Sequence, residues 1–231
     1  MEKIPPTKID AMNPEILTSR TTELAEYRTS ASTALELGAL AVKFAHVERV
    51  PRYGEQRREN DAEHSFMLAL VATELARELY PSSMNPGLIS QYAIVHDLIE
   101  IKTGDVATMI LSEDELMTKE ATEHAALEQL LEQLPPYTRN LLYDYELQED
   151  LEARFVRAVD KLLPVIVDIV GPGRQVMSED YGITDIGGLE AAHTSLHERI
   201  AKKYGEFPEL IANHAALCEL FELEYEATQR P

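Results

Sequence analysis

Apolar and polar positions along this chain repeat with the 3.6-residue period of helices almost throughout. Residues 61–80 place Phe66, Leu70, Val71, Leu75 and Leu79 at helical spacing behind Asn60 or Asp61, either of which can cap a helix N-terminus. Residues 32–48 follow a Ser/Thr-rich entry and carry Leu35, Leu37, Leu40, Val42 and Phe44. Pro51 and Gly54 mark residues 50–59 as a loop, and Pro81 and Pro86 mark another. Residues 87–102 are nearly all apolar, which predicts a central helix stopped at Gly104. Ser112-Glu-Asp-Glu115 is a capping-box pattern that opens a long helix to about Leu134, ended by Pro135-Pro136. A further helix over 149–170 has Phe155, Val156, Val159, Leu162 and Leu163 on its inner stripe, with Pro164 predicting a kink or break. Gly171-Pro-Gly173 closes that segment, and helices over 187–203 and 208–226 complete the pattern. Nothing alternates convincingly with period two, so the expected fold is all-α. Residues 1–18, with Pro5, Pro6 and Pro14, read as an N-terminal arm, and residues 19–231 as one helical domain.

Composition narrows the partners. The chain has 231 residues, 45% of them apolar, which suffices for one sizeable core. Its 21 basic and 41 acidic residues leave a net charge of −20, which argues against a nucleic-acid polymer or an anionic membrane as partner. No stretch reaches membrane-spanning length. Cys218 is the sole cysteine, so no internal disulfide forms, and a reducing, cytoplasmic setting is expected. Cys218 lies in an apolar-periodic run and reads as a small buried hydrophobe.

Against this background one constellation stands out. His96-Asp97 forms a doublet, with His64 upstream and Asp160 downstream, each in helical sequence. Two imidazoles and two carboxylates differ from the thiolate-rich set of a structural zinc site. They suit Mn²⁺, Co²⁺, Fe²⁺, Ni²⁺ or Mg²⁺ with water completing the shell. Such an ion acidifies water and neutralises an oxyanion. Glu100, four residues after His96, shares its helical face and can orient or deprotonate water. Asp105 follows Gly104 on a loop and can give a proton to a leaving oxygen. Between positions 43 and 58, Lys43, Arg49, Arg52, Arg57 and Arg58 stand against only Glu48 and Glu55. This local positive charge within an acidic protein fits a small anion such as phosphate. Arg49, Arg52, Lys102 and Lys161 are the candidate substrate contacts, and Tyr53 is a candidate to stack on a base. His46, His124, His193, His197 and His214 read as satisfied core or surface residues.

Three blocks carry a resemblance: Glu59-Asn-Asp-Ala-Glu63-His64-Ser65, His96-Asp97-Leu-Ile-Glu100-Ile-Lys-Thr-Gly104-Asp105, and Phe155-Val-Arg-Ala-Val-Asp160-Lys161. In this order they closely resemble the HD-domain metal-dependent phosphohydrolases, and within them the 5′-deoxynucleotidases. The resemblance covers roughly residues 35–170. It implies that His64, His96, Asp97 and Asp160 hold the metal, that Glu100 and Asp105 act in catalysis, and that Arg49 contacts the nucleotide. It also implies a helical fold, a homodimer, and 2′-deoxynucleoside 5′-monophosphates as substrates. Val50 departs from the pattern, since well-known bacterial members have an aromatic residue there. A second reading is a deoxynucleoside triphosphate triphosphohydrolase, which needs more basic groups in the pocket, with Lys102, Arg157 and Lys161 as candidates. A signalling-nucleotide hydrolase, an HD-type oxygenase with extra His ligands, and a non-catalytic nucleotide sensor are the remaining alternatives.

Overall fold

Asn60 shows how sequence signals fix the elements. Its side chain accepts from the Glu63 amide while the Glu63 carboxylate accepts from the Asn60 amide, and this reciprocal cap starts a helix at Asp61. The structure, a computed structural model, describes residues 25–54 and 57–227, and the expected arm over residues 1–18 lies outside them. The described chain runs α1 (Ala25–Phe44), β1 (Glu48–Arg52), β2 (Arg58–Asn60), α2 (Asp61–Leu79), α3 (Pro86–Val95) and α4 (Glu100–Thr103). It continues through α5 (Glu113–Leu131), α6 (Pro136–Leu147), α7 (Leu151–Asp160), α8 (Leu163–Val170), α9 (Gly173–Asp180), α10 (Ile186–Lys203) and α11 (Pro208–Ala227). The architecture is helical, as the periodicity predicts.

The main core forms where α2, α3 and α7 pack against one another. Leu68, Ala72 and Ala76 of α2 meet Ile89, Tyr92 and Ala93 of α3 and Phe155, Val156 and Val159 of α7. Small Ala72, Ala76 and Ala93 let the helices approach closely, while the Phe155 ring packs edge-on against Tyr80 and Phe207. Each large side chain buried here contributes about 1.5–3 kcal/mol relative to exposure. The two helices that carry His64 and Asp160 are thereby locked to the helix that ends at His96.

Several expectations change. Residues 50–59 are not simply a loop, because β1 and β2 pair antiparallel, with Glu48 opposite Asn60 and Arg52 opposite Arg58. The strands are short, charged and proline-bearing, so they lack the apolar alternation that signals a strand. The helix expected over 87–102 is interrupted, since α3 ends at Val95 and α4 begins at Glu100. Tight bonds from Leu98 N to Val95 O (3.1 Å) and Glu100 N to Asp97 O (2.8 Å) shape the turn between them. The helix over 149–170 breaks at Lys161–Leu162, and Pro164 lies in the first turn of α8, where its missing N–H costs nothing. Helices α6 and α9 were not expected. At α6, Pro135-Pro136 both ends one helix and supplies the N1 proline of the next.

One glycine ties the hairpin to this frame. A Cβ on Gly171 would lie 2.4 Å from the Arg52 carbonyl oxygen, so only glycine permits the end of α8 to rest against β1. In the core, Phe155→Ala removes a fully buried ring and is expected to destabilise the fold by about 3–5 kcal/mol, read from urea denaturation.

Candidate metal centre and active site

His64, on the second turn of α2, is fully buried, with its Nε2 2.8 Å from Asp160 Oδ1. Its Nδ1 lies 3.4 Å from Glu59 Oε2, the arrangement in which a carboxylate fixes the ring of a metal-binding histidine. His96 sits at the end of α3, and its Nδ1 donates to the Ala93 carbonyl at 2.9 Å. That bond assigns the proton to Nδ1 and leaves the Nε2 lone pair free in the neutral ring. Nε2 is buried without a hydrogen-bond partner, 2.8 Å from Asp97 Oδ2 and 3.8 Å from Asp160 Oδ1.

The structure therefore brings together one ligand atom each from His64, His96, Asp97 and Asp160, all within 4.8 Å of one another. A second group, Asp61, Asp97 and Glu100, shares Asp97 with the first. The orphaned Nε2, the second imidazole and the converging carboxylates fit a divalent cation bound by nitrogen and oxygen.

Arg49 lies at the centre of the neighbouring acids. Its Nη1 is 2.9 Å from Asp97 Oδ2, 3.0 Å from Asp61 Oδ1, and 3.5 Å from both Glu100 Oε2 and Asp105 Oδ1. Burial alone would lower its pKa, but Asp97, Asp105 and Glu100 hold it well above the usual value. Burial raises the Glu100 carboxyl well above the ordinary range, assisted by Asp97 and Asp105. Burial likewise raises Asp105, and it pushes Asp61 up to about 7 with help from Asp97. Asp97 and Asp160 shift downward despite burial, Asp97 through His96 and Asp160 through Lys161 and the two histidines. Burial thus disfavours the ionised forms of Glu100, Asp105 and Asp61, whereas the adjoining cationic and imidazole groups favour the ionised forms of Asp97 and Asp160.

Backbone geometry positions Asp105. Gly104 has φ 73° and ψ 158°, a region essentially restricted to glycine, and it turns the chain out of α4 so that Asp105 faces Arg49.

Arg49 and Arg52 separate because strand side chains alternate. Arg49 and Pro51 face the site, whereas Arg52 points the other way to Glu179 at 2.9 Å and Asp180 at 2.6 Å. Lys102 is also misplaced by the sequence reading. It lies two residues past the inward Glu100, a rotation of about 200°, and is exposed, donating to Gln133 at 3.1 Å. Lys161 does reach the cluster, with Nζ 2.5 Å from Asp160 Oδ2. Tyr53 donates to Glu59 at 2.9 Å beneath the Arg57 guanidinium, so its ring is already in use. Among the other histidines, His193 pairs with Glu222 at 2.7 Å and His197 stacks on His214.

The sequence assigns no part in the site to Glu59, to Asp61 (named there only as a candidate helix cap) or to Lys119. Asp61 lies one helical turn before His64, a spacing that marks the same face. Lys119 Nζ approaches Glu100 Oε1 at 3.6 Å and pairs with Glu123, from a helix whose sequence reads as a solvated face.

With this geometry in view, the similarity to known proteins can be stated. A family model described as HD domain matches residues 42–202. The chain belongs to the HD domain family. Among curated relatives of this HD-domain protein, a 5′-deoxynucleotidase of Erwinia tasmaniensis is 31% identical over 133 residues, spanning 52% of this chain and 67% of that protein. The human 5′-deoxynucleotidase HDDC2 is 31% identical over 126 residues, spanning 50% of this chain and 58% of that one. A solved structure titled as a predicted metal-dependent phosphohydrolase from Magnetospirillum magnetotacticum MS-1 superposes with a TM-score of 0.62 at 28% identity, covering 82% of this chain and 93% of the other. The HD-domain protein is thus a hydrolase with a His/Asp cluster capable of binding a divalent metal.

Loading the cluster must displace a proton. Burial lowers the His96 pKa, but Asp97 and Asp160 outweigh it and raise the value to about 9. The metal-free ring is therefore protonated at neutral pH, and a cation competes with that proton for Nε2. Mn²⁺ affinity is expected to rise as pH climbs from 6 towards 9 and to level off above it. Titration calorimetry in buffers of different ionisation enthalpy should show net proton release at pH 7. His96→Ala should abolish both the binding and the release.

Proposed function

We propose that this HD-domain protein hydrolyses the 5′-phosphate of 2′-deoxynucleoside 5′-monophosphates, giving a deoxynucleoside and phosphate. The observation that carries the reading is the convergence of Glu100 and Asp105 on Arg49, beside the Asp97 of the metal-binding cluster. A phosphomonoesterase needs this juxtaposition of an anion-binding guanidinium with two proton-exchanging carboxyl groups. A divalent cation held by His64, His96, Asp97 and Asp160 supplies positive charge for the phosphate oxygens and acidifies water. Arg49 is pre-oriented by four acids and binds the phosphate through its guanidinium. Glu100 orients the attacking water and accepts its proton, while Asp105 donates a proton to the 5′-oxygen as the P–O bond breaks. Burial raises both carboxyl groups above their ordinary range, which makes each a stronger base when ionised.

Removal of triphosphate from deoxynucleoside triphosphates is the second reading. A cavity of about 700 Å³ beside the cluster is lined by Lys119, Arg157, Lys161, Arg199 and Lys203, which favours a more highly charged substrate. Most of these cations are already engaged. Arg157 pairs with Glu146 at 3.0 Å, Lys161 with Asp160, and Arg199 donates to the carbonyls of Thr108 and Met109. The monophosphate reading therefore leads.

The same reading includes a cytoplasmic homodimer acting on deoxynucleotides. Phe66 and Leu70, one turn apart on α2 and 67% and 59% exposed, offer an apolar strip to a second copy. Among the described residues no helix is long and apolar enough to cross a membrane.

Protein resupplied with Mn²⁺, Co²⁺ or Mg²⁺ is expected to release free phosphate from deoxynucleoside monophosphates and far less from ribonucleotides. Intact triphosphate from deoxynucleoside triphosphates would instead establish the second reading. Glu100→Gln is expected to lower kcat about 10²–10⁴-fold while metal content, read by elemental analysis, stays at the wild-type level. Unchanged turnover would remove Glu100 from the reaction.

A further inference from the structure

Two cavities meet at the cluster, and their chemistry differs. The wider one carries neither Arg49, Glu100 nor Asp105. All three line the narrower one, of about 100 Å³. If Asp105 protonates the leaving oxygen, as the proposed function requires, the group attached to that oxygen lies on the narrow side. Whole-ligand pockets usually span about 300–1,000 Å³, so this space takes part of a nucleoside, and the part next to the 5′-oxygen is the sugar.

Asp168 of α8 lines the same narrow cavity. It is 6% exposed, and its Oδ1 is buried with no hydrogen-bond partner. Burial raises its pKa well above the ordinary range, and its charged neighbours, Glu59 and Asp180, add to the shift because both are acids. Burial and the two acids favour its protonated form, which can both donate and accept. Close packing confines it, since a Cβ on Gly173 would lie 2.3 Å from the Asp168 carbonyl oxygen and 2.7 Å from its Cβ. Its side chain also forms part of the wall towards a surface cleft beside Pro172 and Arg174. Pro164, Val165 and Leu196 make the nearby lining apolar. A buried carboxyl without a partner opposes folding and calls for an explanation. A ligand hydroxyl arriving in the cavity supplies one.

We infer that Asp168 is a specificity-determining residue that hydrogen-bonds the 3′-hydroxyl of the leaving deoxynucleoside. This rests on the phosphomonoesterase reading and adds the group by which the sugar is recognised. Asp168 stands on a different helix from Asp160 and takes no part in the ligand cluster.

The test is a cycle of steady-state kinetics on metal-loaded protein. Wild type, Asp168→Ala and Asp168→Asn are each assayed with a 2′-deoxynucleoside 5′-monophosphate and the 2′,3′-dideoxy analogue of the same base. Wild type is expected to lose roughly tenfold to a hundredfold in kcat/KM on the dideoxy substrate. Asp168→Ala should lose a similar factor on the deoxy substrate and nothing further on the dideoxy one. Asp168→Asn, which keeps a neutral donor and acceptor, should stay within about threefold of wild type. Metal content should be unchanged, and the melting temperature of Asp168→Ala should not fall, because the variant deletes a polar group without a partner. Equal wild-type turnover of the two substrates, with deoxynucleotidase activity intact, would overturn this inference alone. So would an Asp168→Ala loss of the same size on both, which would indicate a structural effect or contact with the base. Failure of wild type to hydrolyse any nucleotide would overturn the phosphomonoesterase reading, and this inference with it.

Discussion

Buried negative charge is the constraint around which this molecule is organised. Glu59, Asp61, Glu100 and Asp160 are buried, and Asp97 and Asp105 lie beside them. Opposite these acids stand Arg49, Lys119 and Lys161. Like charges at this density repel strongly in a poorly solvated interior. The protein responds by shifting some carboxyl groups towards their protonated forms and pairing others, and it leaves His96 Nε2 with no hydrogen-bond partner. A divalent cation held by His64, His96, Asp97 and Asp160 would offset the remaining excess. Binding and folding are thereby coupled, and a bound ion should stabilise the native state by mass action.

The candidate ligands sit mostly where helices stop. His96 caps α3, Asp97 falls in the turn after it, and Asp160 is the last residue of α7. His64 alone is followed by several further turns of its own helix, of which it is the fourth residue. Helix ends leave backbone groups and side-chain directions that a continuous helix would not offer. The turn after Val95 shows this well. In an unbroken helix His96 and Asp97 would diverge by about 100°, yet here His96 Nε2 and Asp97 Oδ2 are 2.8 Å apart.

How much of this was legible in the sequence depends on the type of signal. Long amphipathic helices and their caps were readable, because Asn60 and Ser112 each announce a helix with a glutamate three residues on. The hairpin was not, since Arg49 takes an inward strand position normally held by an apolar residue. That exchange of core residue for binding residue hid the strand, and with it the fact that Arg49 and Arg52 face opposite ways. Lys102 was misjudged by treating nearness in sequence as nearness in space. His64, His96, Asp97 and Asp160 were identifiable as a set because their residue types have few other uses together. Lys119 was invisible, since only the tertiary packing of α5 brings it to Glu100. Asp168 gave no warning either, because an aspartate in an apolar run looks like any other helix residue until its surroundings are known.

The split between α7 and α8 has a bearing on how such enzymes diversify. Asp160 and Asp168 are only eight positions apart, but the break at Lys161–Leu162 puts them on separate helices. One segment would hold a cation through its final residue, and the next borders the space beside it. Substitutions along α8 would therefore reshape the narrow cavity while the His64, His96, Asp97 and Asp160 cluster, braced by α2 and α3, stays in place. Under the proposed function, the residue that would hold the cation and the residue that would meet the sugar can change independently although both lie within the twenty residues 151–170.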